Sequence, residues 1–151
     1  MRTQEIHFPD QKQVLCAFPA ERSELAQAVS ELKLGNTQPV IVLIGGMIEK
    51  QELTASMKAI QSIAKVAEDM KALVICGGTD MGVMSEIGLV RSRNGYKFPL
   101  IGITLEDLVT WPGGPKSTKF LLWGKRLWPL APHYTHFILV PGNEFGDESP
   151  W

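Results

Sequence analysis

The sequence has little cysteine, almost no net charge and no long apolar run. Two cysteines in 151 residues cannot build a disulfide scaffold. Cys16 and Cys76 stand in apolar strand-like runs with no zinc-ligand spacing, so both read as buried free thiols in a reducing cytoplasm. Fifteen basic against sixteen acidic side chains leave a net charge of −1. That balance argues against nucleic acid as a partner, though not against a local phosphate site. Apolar runs such as Val40–Ile44 and Phe137–Val140 fall far short of the ~20 residues of a membrane helix, so no membrane contact is expected. The polar start MRTQEIHFPDQ has no apolar signal region, and a cytoplasmic location follows. Neither a GxGxxG nor a GxxxxGK[ST] pattern follows a strand, which disfavours a standard dinucleotide dehydrogenase or nucleoside triphosphatase. No Ser-His-Asp or Cys-His set stands out. No catalytic residue, metal or cofactor is assigned.

What is present is an ordinary globular composition, 44% hydrophobic and 21% charged. The length suits one domain over residues 1–151, able to bury ~68–70% of its unfolded surface. Strand-like runs alternate with helix-period stretches. Lys12–Phe18, Pro39–Ile44, Ala72–Cys76, Pro99–Ile103 and His136–Val140 read as strands. The β-branched run Pro39–Ile44 has the look of a strand buried on both faces. Ser23–Leu34 reads as a helix with Leu25, Val29 and Leu32 on one face and Gly35 as its stop. Glu52–Met70 carries Leu53, Met57, Ile60, Ala64 and Ala67 at the spacing of a buried stripe. Val83–Arg93 is a third helix, followed by a turn at Asn94-Gly95. This alternation predicts an α/β fold: a Rossmann-like, doubly wound parallel sheet with helices on both faces. Thr104–His133 is too long for a tight connection and predicts a wall or lid, with a short helix over Phe120–Trp128. Trp111, Trp123 and Trp128 read as a packing patch.

In open α/β sheets ligands bind beyond the carboxyl ends of the strands. Three of the strands run straight into glycine there: Gly45-Gly46, Gly77-Gly78-Thr79 and Pro141-Gly142-Asn143. Glycine lets backbone N–H groups approach a ligand, and a helix N-terminus beyond adds partial positive charge. Together these turns describe an anion pocket, most simply for phosphate or pyrophosphate. Each alone also fits a turn that needs glycine for geometry. Thr79 could donate to phosphate or cap a turn. Asp80 suits a helix cap, or an acceptor for a ribose hydroxyl. Gly78 is expected to face the cleft, so that a Cβ there would push phosphate away and disturb the fold little. Glu144, Asp147 and Glu148 could hold ribose hydroxyls, act as acid–base groups, or form a solvated acidic loop. His133 and His136 read as structural.

The segment ALVICGGTDMGVMSEIG (Ala72–Gly88) resembles the glycine-rich core of the SLOG superfamily, closest to the branch at the cytoplasmic N-terminus of TRPM channels and in their prokaryotic relatives. HYTHFILVPGNEFGDESPW (His133–Trp151) resembles that branch's second hallmark, and VIVLIGGM (Val40–Met47) its first glycine turn. The likeness runs from about Pro39 onward; residues 1–38 carry little of it. It implies a Rossmann-like domain that binds a small-molecule nucleotide derivative, such as ADP-ribose or cyclic ADP-ribose, and serves as a ligand sensor in prokaryotic signalling or antiviral defence. Carried over by position are Gly45, Gly46, Gly77, Gly78, Thr79, Gly82, Met84, Gly142, Glu144, Gly146 and Glu148, beside Asp80 and Asn143 from the reading above. The superfamily's enzymatic branch, which cleaves ribose from nucleoside monophosphates, resembles PGGxGTxxE in its last loop, whereas this loop reads PGNEFGDES. That departure sets an N-glycoside hydrolase, with Glu144 or Glu148 as acid–base, second to a sensor. A sensor without a catalytic set implies a fused or adjacent effector and a self-associating interface. The helix expected after the last glycine loop has no sequence here, which predicts a domain cut from a longer protein or one lacking its last elements.

Overall fold

Short apolar runs make the strands, and their pairing order decides what each can reach. A computed structural model describes residues 1–9, 13–35, 39–45, 50–114 and 127–151. Among these the strands are β1 (Arg2–Ile6), β2 (Val14–Phe18), β3 (Val40–Val42), β4 (Leu73–Cys76), β5 (Leu100–Leu105), β6 (Val109–Thr110), β7 (Trp128–Pro129) and β8 (His136–Val140). The helices are α1 (Leu25–Glu31), α2 (Lys50–Asp69) and α3 (Gly82–Arg93). Six strands form one sheet in the order β1-β2-β8-β5-β4-β3. All neighbours pair in parallel except β1, which runs antiparallel to β2. β1 was not legible in the sequence. It is a polar edge strand held by backbone pairing, in which only Ile6 is buried.

Side chains alternate across the sheet, so each central strand feeds two cores. Phe137 and Leu139 of β8 join one core, under Ile60, Ala64 and Ala67 of α2 and Ile87 and Val90 of α3. Ile138 and Val140 join the other, under Ala28 of α1 and Leu32 just beyond it. The fold is the expected Rossmann-like doubly wound layer.

Several local expectations are corrected. The run at Pro39–Ile44 is not buried on both faces. β3 is the edge strand, and α2 covers only the face carrying Ile41 and Leu43. On the other face Val40, Val42 and Ile44 are 54%, 60% and 91% exposed. A β-branched run signals a strand but not its place in the sheet. In α1 the buried stripe is Leu25, Ala28 and Leu32, and Val29 lies at its exposed edge. Helix α2 ends in a turn that puts non-glycine Lys71 at φ 51°, with the Ala72 N–H donating to the Ala67 carbonyl at 2.8 Å. Between β5 and β8 the chain forms a small second sheet, β6 paired with β7. Trp128 therefore stands in a strand, and the rest of the helix expected at 120–128 lies outside the described residues, apart from Leu127. Both cysteines are buried and free.

Candidate functional site

The carboxyl ends of β3, β4 and β5 open onto one cleft of about 280 Å3, lined by Gly45, Gly77, Thr79, Met81, Met84, Thr104, Trp128, Phe145 and Glu148. Each wall has a local cause. Gly45, just past β3, lies so close to α3 that a Cβ would sit 3.0 Å from the Val83 Cβ. Gly77 directly follows β4, and a Cβ there would lie 2.6 Å from the Met84 sulfur. That sulfur accepts a hydrogen bond from the buried Thr79 hydroxyl at 3.3 Å. The Met84 carbonyl accepts from Tyr134 Oη at 3.0 Å, and the Tyr134 ring stacks on Phe137 at 5.3 Å. Burial raises both the Tyr134 phenol and the Cys76 thiol beneath this turn above their ordinary pKa values.

The wall formed by β6 and β7 is laced to the turn after β4. Asp80 N–H donates to the Pro129 carbonyl at 2.8 Å, and Ala131 N–H donates to the Gly78 carbonyl at 2.9 Å. This seam fixes Trp128 toward the cleft. Pro129 turns the other way, into a more open depression of about 290 Å3 shared with Phe8, Asp80, Thr110, Trp111, Pro112, Leu130 and Pro132. The last loop is folded by its own carboxylates. Asp147 Oδ2 accepts from the N–H groups of Asn143 at 2.8 Å and Glu144 at 3.2 Å. Glu148 Oε2 accepts from Gly146 N–H at 2.8 Å, and Gly146 has φ 114°. The loop presents half-exposed Phe145 and the Glu148 side chain to the cleft.

Of the residues singled out in the sequence, Gly45, Gly77, Thr79, Met84 and Glu148 meet in this cleft. Gly82 opens α3 at φ 48°, behind the wall. Gly142 is a packing glycine, because a Cβ would meet Leu105 Cδ2 at 2.5 Å. Asn143, Glu144 and Gly146 shape the last loop without lining the cleft. Asp80 lines the second depression and accepts from Ser85 Oγ at 2.7 Å. Gly46 lies outside the described residues. Gly78 does not face the cleft. At φ 82° its missing Cβ points at the Gly102 Cα, 2.8 Å away, and the Phe137 ring, 3.0 Å away. The expectation that a side chain there would spare the fold is overturned. His136 starts β8 at the far end of the sheet, 2.8 Å from Thr135 Oγ1, and neither it nor His133 lines the cleft.

The sequence patterns do not single out the side chains of Met81, Thr104, Trp128 and Phe145, which also line the cleft. Thr104 carries a signal: it is the polar residue just beyond the apolar run Pro99–Ile103, and β5 extends through it. Trp128 lines the cleft, which corrects the packing role expected for it. That role suits Trp111, which is buried 6.0 Å from the Phe18 ring; Trp123 lies outside the described residues.

Residues 38–151 match the family model described as SLOG in TRPM, prokaryote. The chain belongs to this SLOG family. The match takes in β3 through β8 and every residue of the cleft wall, while β1, β2 and α1 precede it. None of the curated proteins matches the chain. SLOG membership makes this a ligand-binding sensor domain in general terms. Among the described residues no helix is long and apolar enough to cross a membrane.

Proposed function

We propose that this SLOG cleft takes a nucleotide derivative such as ADP-ribose or cyclic ADP-ribose. Its occupancy is passed to a fused or adjacent effector in a prokaryotic signalling or antiviral defence system in the cytoplasm, with self-association of the sensor. One observation carries the reading: three strand ends and the last acidic loop converge on a cleft of mixed walls. Thioether and aromatic side chains suit a base, and Thr79, Thr104 and Glu148 suit a sugar and polar edges. Calorimetry of the full chain against ADP-ribose, cyclic ADP-ribose, NAD and AMP tests it. Saturable binding of one of them is the expected result, and no binding by any to folded protein overturns it.

Glu148 in the cleft wall also supports an N-glycoside hydrolase as the second reading. Release of free base from AMP or NAD that disappears in Glu148→Gln would favour that enzyme.

A further inference from the structure

We infer that Thr104 is the specificity-determining residue of the cleft, and that the ligand enters base first, with the polar edge of a flat nitrogen heterocycle on the Thr104 hydroxyl. The inference rests on the nucleotide reading above and states which end of the nucleotide the cleft selects.

Thr104 bears the sole polar side chain of β5, whose sequence is LIGITL. Leu100, Gly102 and Thr104 share one face of that strand. Leu100 belongs to the core and Gly102 is pressed against Phe137, so Thr104 is the first position on that face to reach the cleft. Its side chain is buried, with the residue only 2% exposed. Among the described residues none hydrogen-bonds its hydroxyl. The other inward threonines differ. Thr79 donates to the Met84 sulfur, and Thr135 Oγ1 bonds both backbone groups of Leu100 at 2.8 and 2.9 Å. The Thr104 oxygen is not sealed in the core, so water satisfies it when the cleft is empty and the group costs the fold little. At Thr104 that group faces the cleft floor.

The surroundings name its partner. Met81, Met84, Trp128 and Phe145 offer polarisable and flat surfaces, which suit the faces of a ring. A hydroxyl both donates and accepts, so it can read a ring nitrogen or an exocyclic amine. Half-buried Glu148 accepts from a ribose diol and repels phosphate. About 280 Å3 falls just below the ~300–1,000 Å3 of ordinary ligand pockets, which suits one nucleoside rather than a dinucleotide. Phosphates then point outward.

The test is calorimetry on the full chain and on Thr104→Val and Thr104→Ser, with ADP-ribose, adenosine and ribose 5-phosphate as probes, alongside thermal melting. Adenosine should bind and compete with ADP-ribose, while ribose 5-phosphate should not. Thr104→Val should weaken adenosine and ADP-ribose alike by about tenfold at unchanged melting temperature, and Thr104→Ser should retain most of the affinity. Binding of ADP-ribose that is indifferent to Thr104→Val, or competed by ribose 5-phosphate and not by adenosine, overturns this inference and leaves the nucleotide reading standing. A Thr104→Val chain that fails to fold also overturns it, because the hydroxyl would then serve the fold. Failure of every probe to bind overturns both.

Discussion

Gly78 and Gly102 stand back to back, so close that a Cβ on Gly78 would lie 2.8 Å from the Gly102 Cα. Gly102 is in register with Cys76 of β4 and with Phe137 of β8, whose ring closes the space on the other side. Two glycines on different segments thus let the turn after β4 lie flat over the centre of the sheet. Gly78→Val combines a β-branched side chain at φ 82° with a collision against backbone. It should cost at least ~3 kcal/mol of stability, from strain and overpacking together. Urea denaturation of the purified variant measures this; a loss below ~1 kcal/mol would show that the turn gives way easily.

Gly77 should behave in the opposite manner. The added methyl of Gly77→Ala meets the far end of the flexible Met84 side chain, which lines the cleft. Met84 can swing aside, so stability should fall by less than ~1 kcal/mol, while the narrowed cleft should lose about tenfold in ADP-ribose affinity. Paired melting and titration on this variant check the split. A large stability loss with intact affinity would contradict it.

Lys71 occupies a left-handed position at the end of α2, where its N–H donates to the Glu68 carbonyl at 3.1 Å. Lys71→Gly relieves that conformation at some entropic cost in the unfolded chain. The net expectation is a gain of roughly 0.5–1 kcal/mol. A destabilised variant in thermal melting would refute it.

Much of this arrangement was legible in the sequence because it is local. Val74 and Ile75 beside Gly77, or the stripe of Ile60, Ala64 and Ala67, announce their elements within a few residues. The part of the cleft found this way, Gly45, Gly77, Thr79, Met84 and Glu148, lies at strand ends or in a recognisable motif. What stayed hidden depends on partners far along the chain. The direction of Gly78 is set by Gly102 and Phe137, and the exposure of Val42 by an edge position that only strand order reveals. Trp128 faces the cleft because Asp80 and Ala131 bond the segments around it, which no spacing rule encodes.

His136 gives the fold a pH dependence. Burial is the main cause that lowers its pKa, the nearby Arg91 charge lowers it further, and a hydrogen bond to the Leu32 carbonyl opposes both. With the folded pKa below the unfolded value of ~6.5, the unfolded chain binds the proton more readily. The stability that His136 contributes is therefore fully present above ~6.5 and is lost as pH falls through and below it. Urea midpoints between about pH 7.5 and 5 should decline, and His136→Gln should flatten the decline over the same range. An unchanged slope in the variant would remove His136 from the account.

Titration of ADP-ribose into the full chain and into Phe145→Ala tests the central claim most directly. Phe145 is 48% exposed on the last loop, so its truncation spares the core while removing a cleft wall. Saturable binding to the native chain, weakened about tenfold or more in the variant, is the predicted result. Equal affinity in both, or no saturable binding to folded native protein, would contradict a nucleotide-binding cleft at this place.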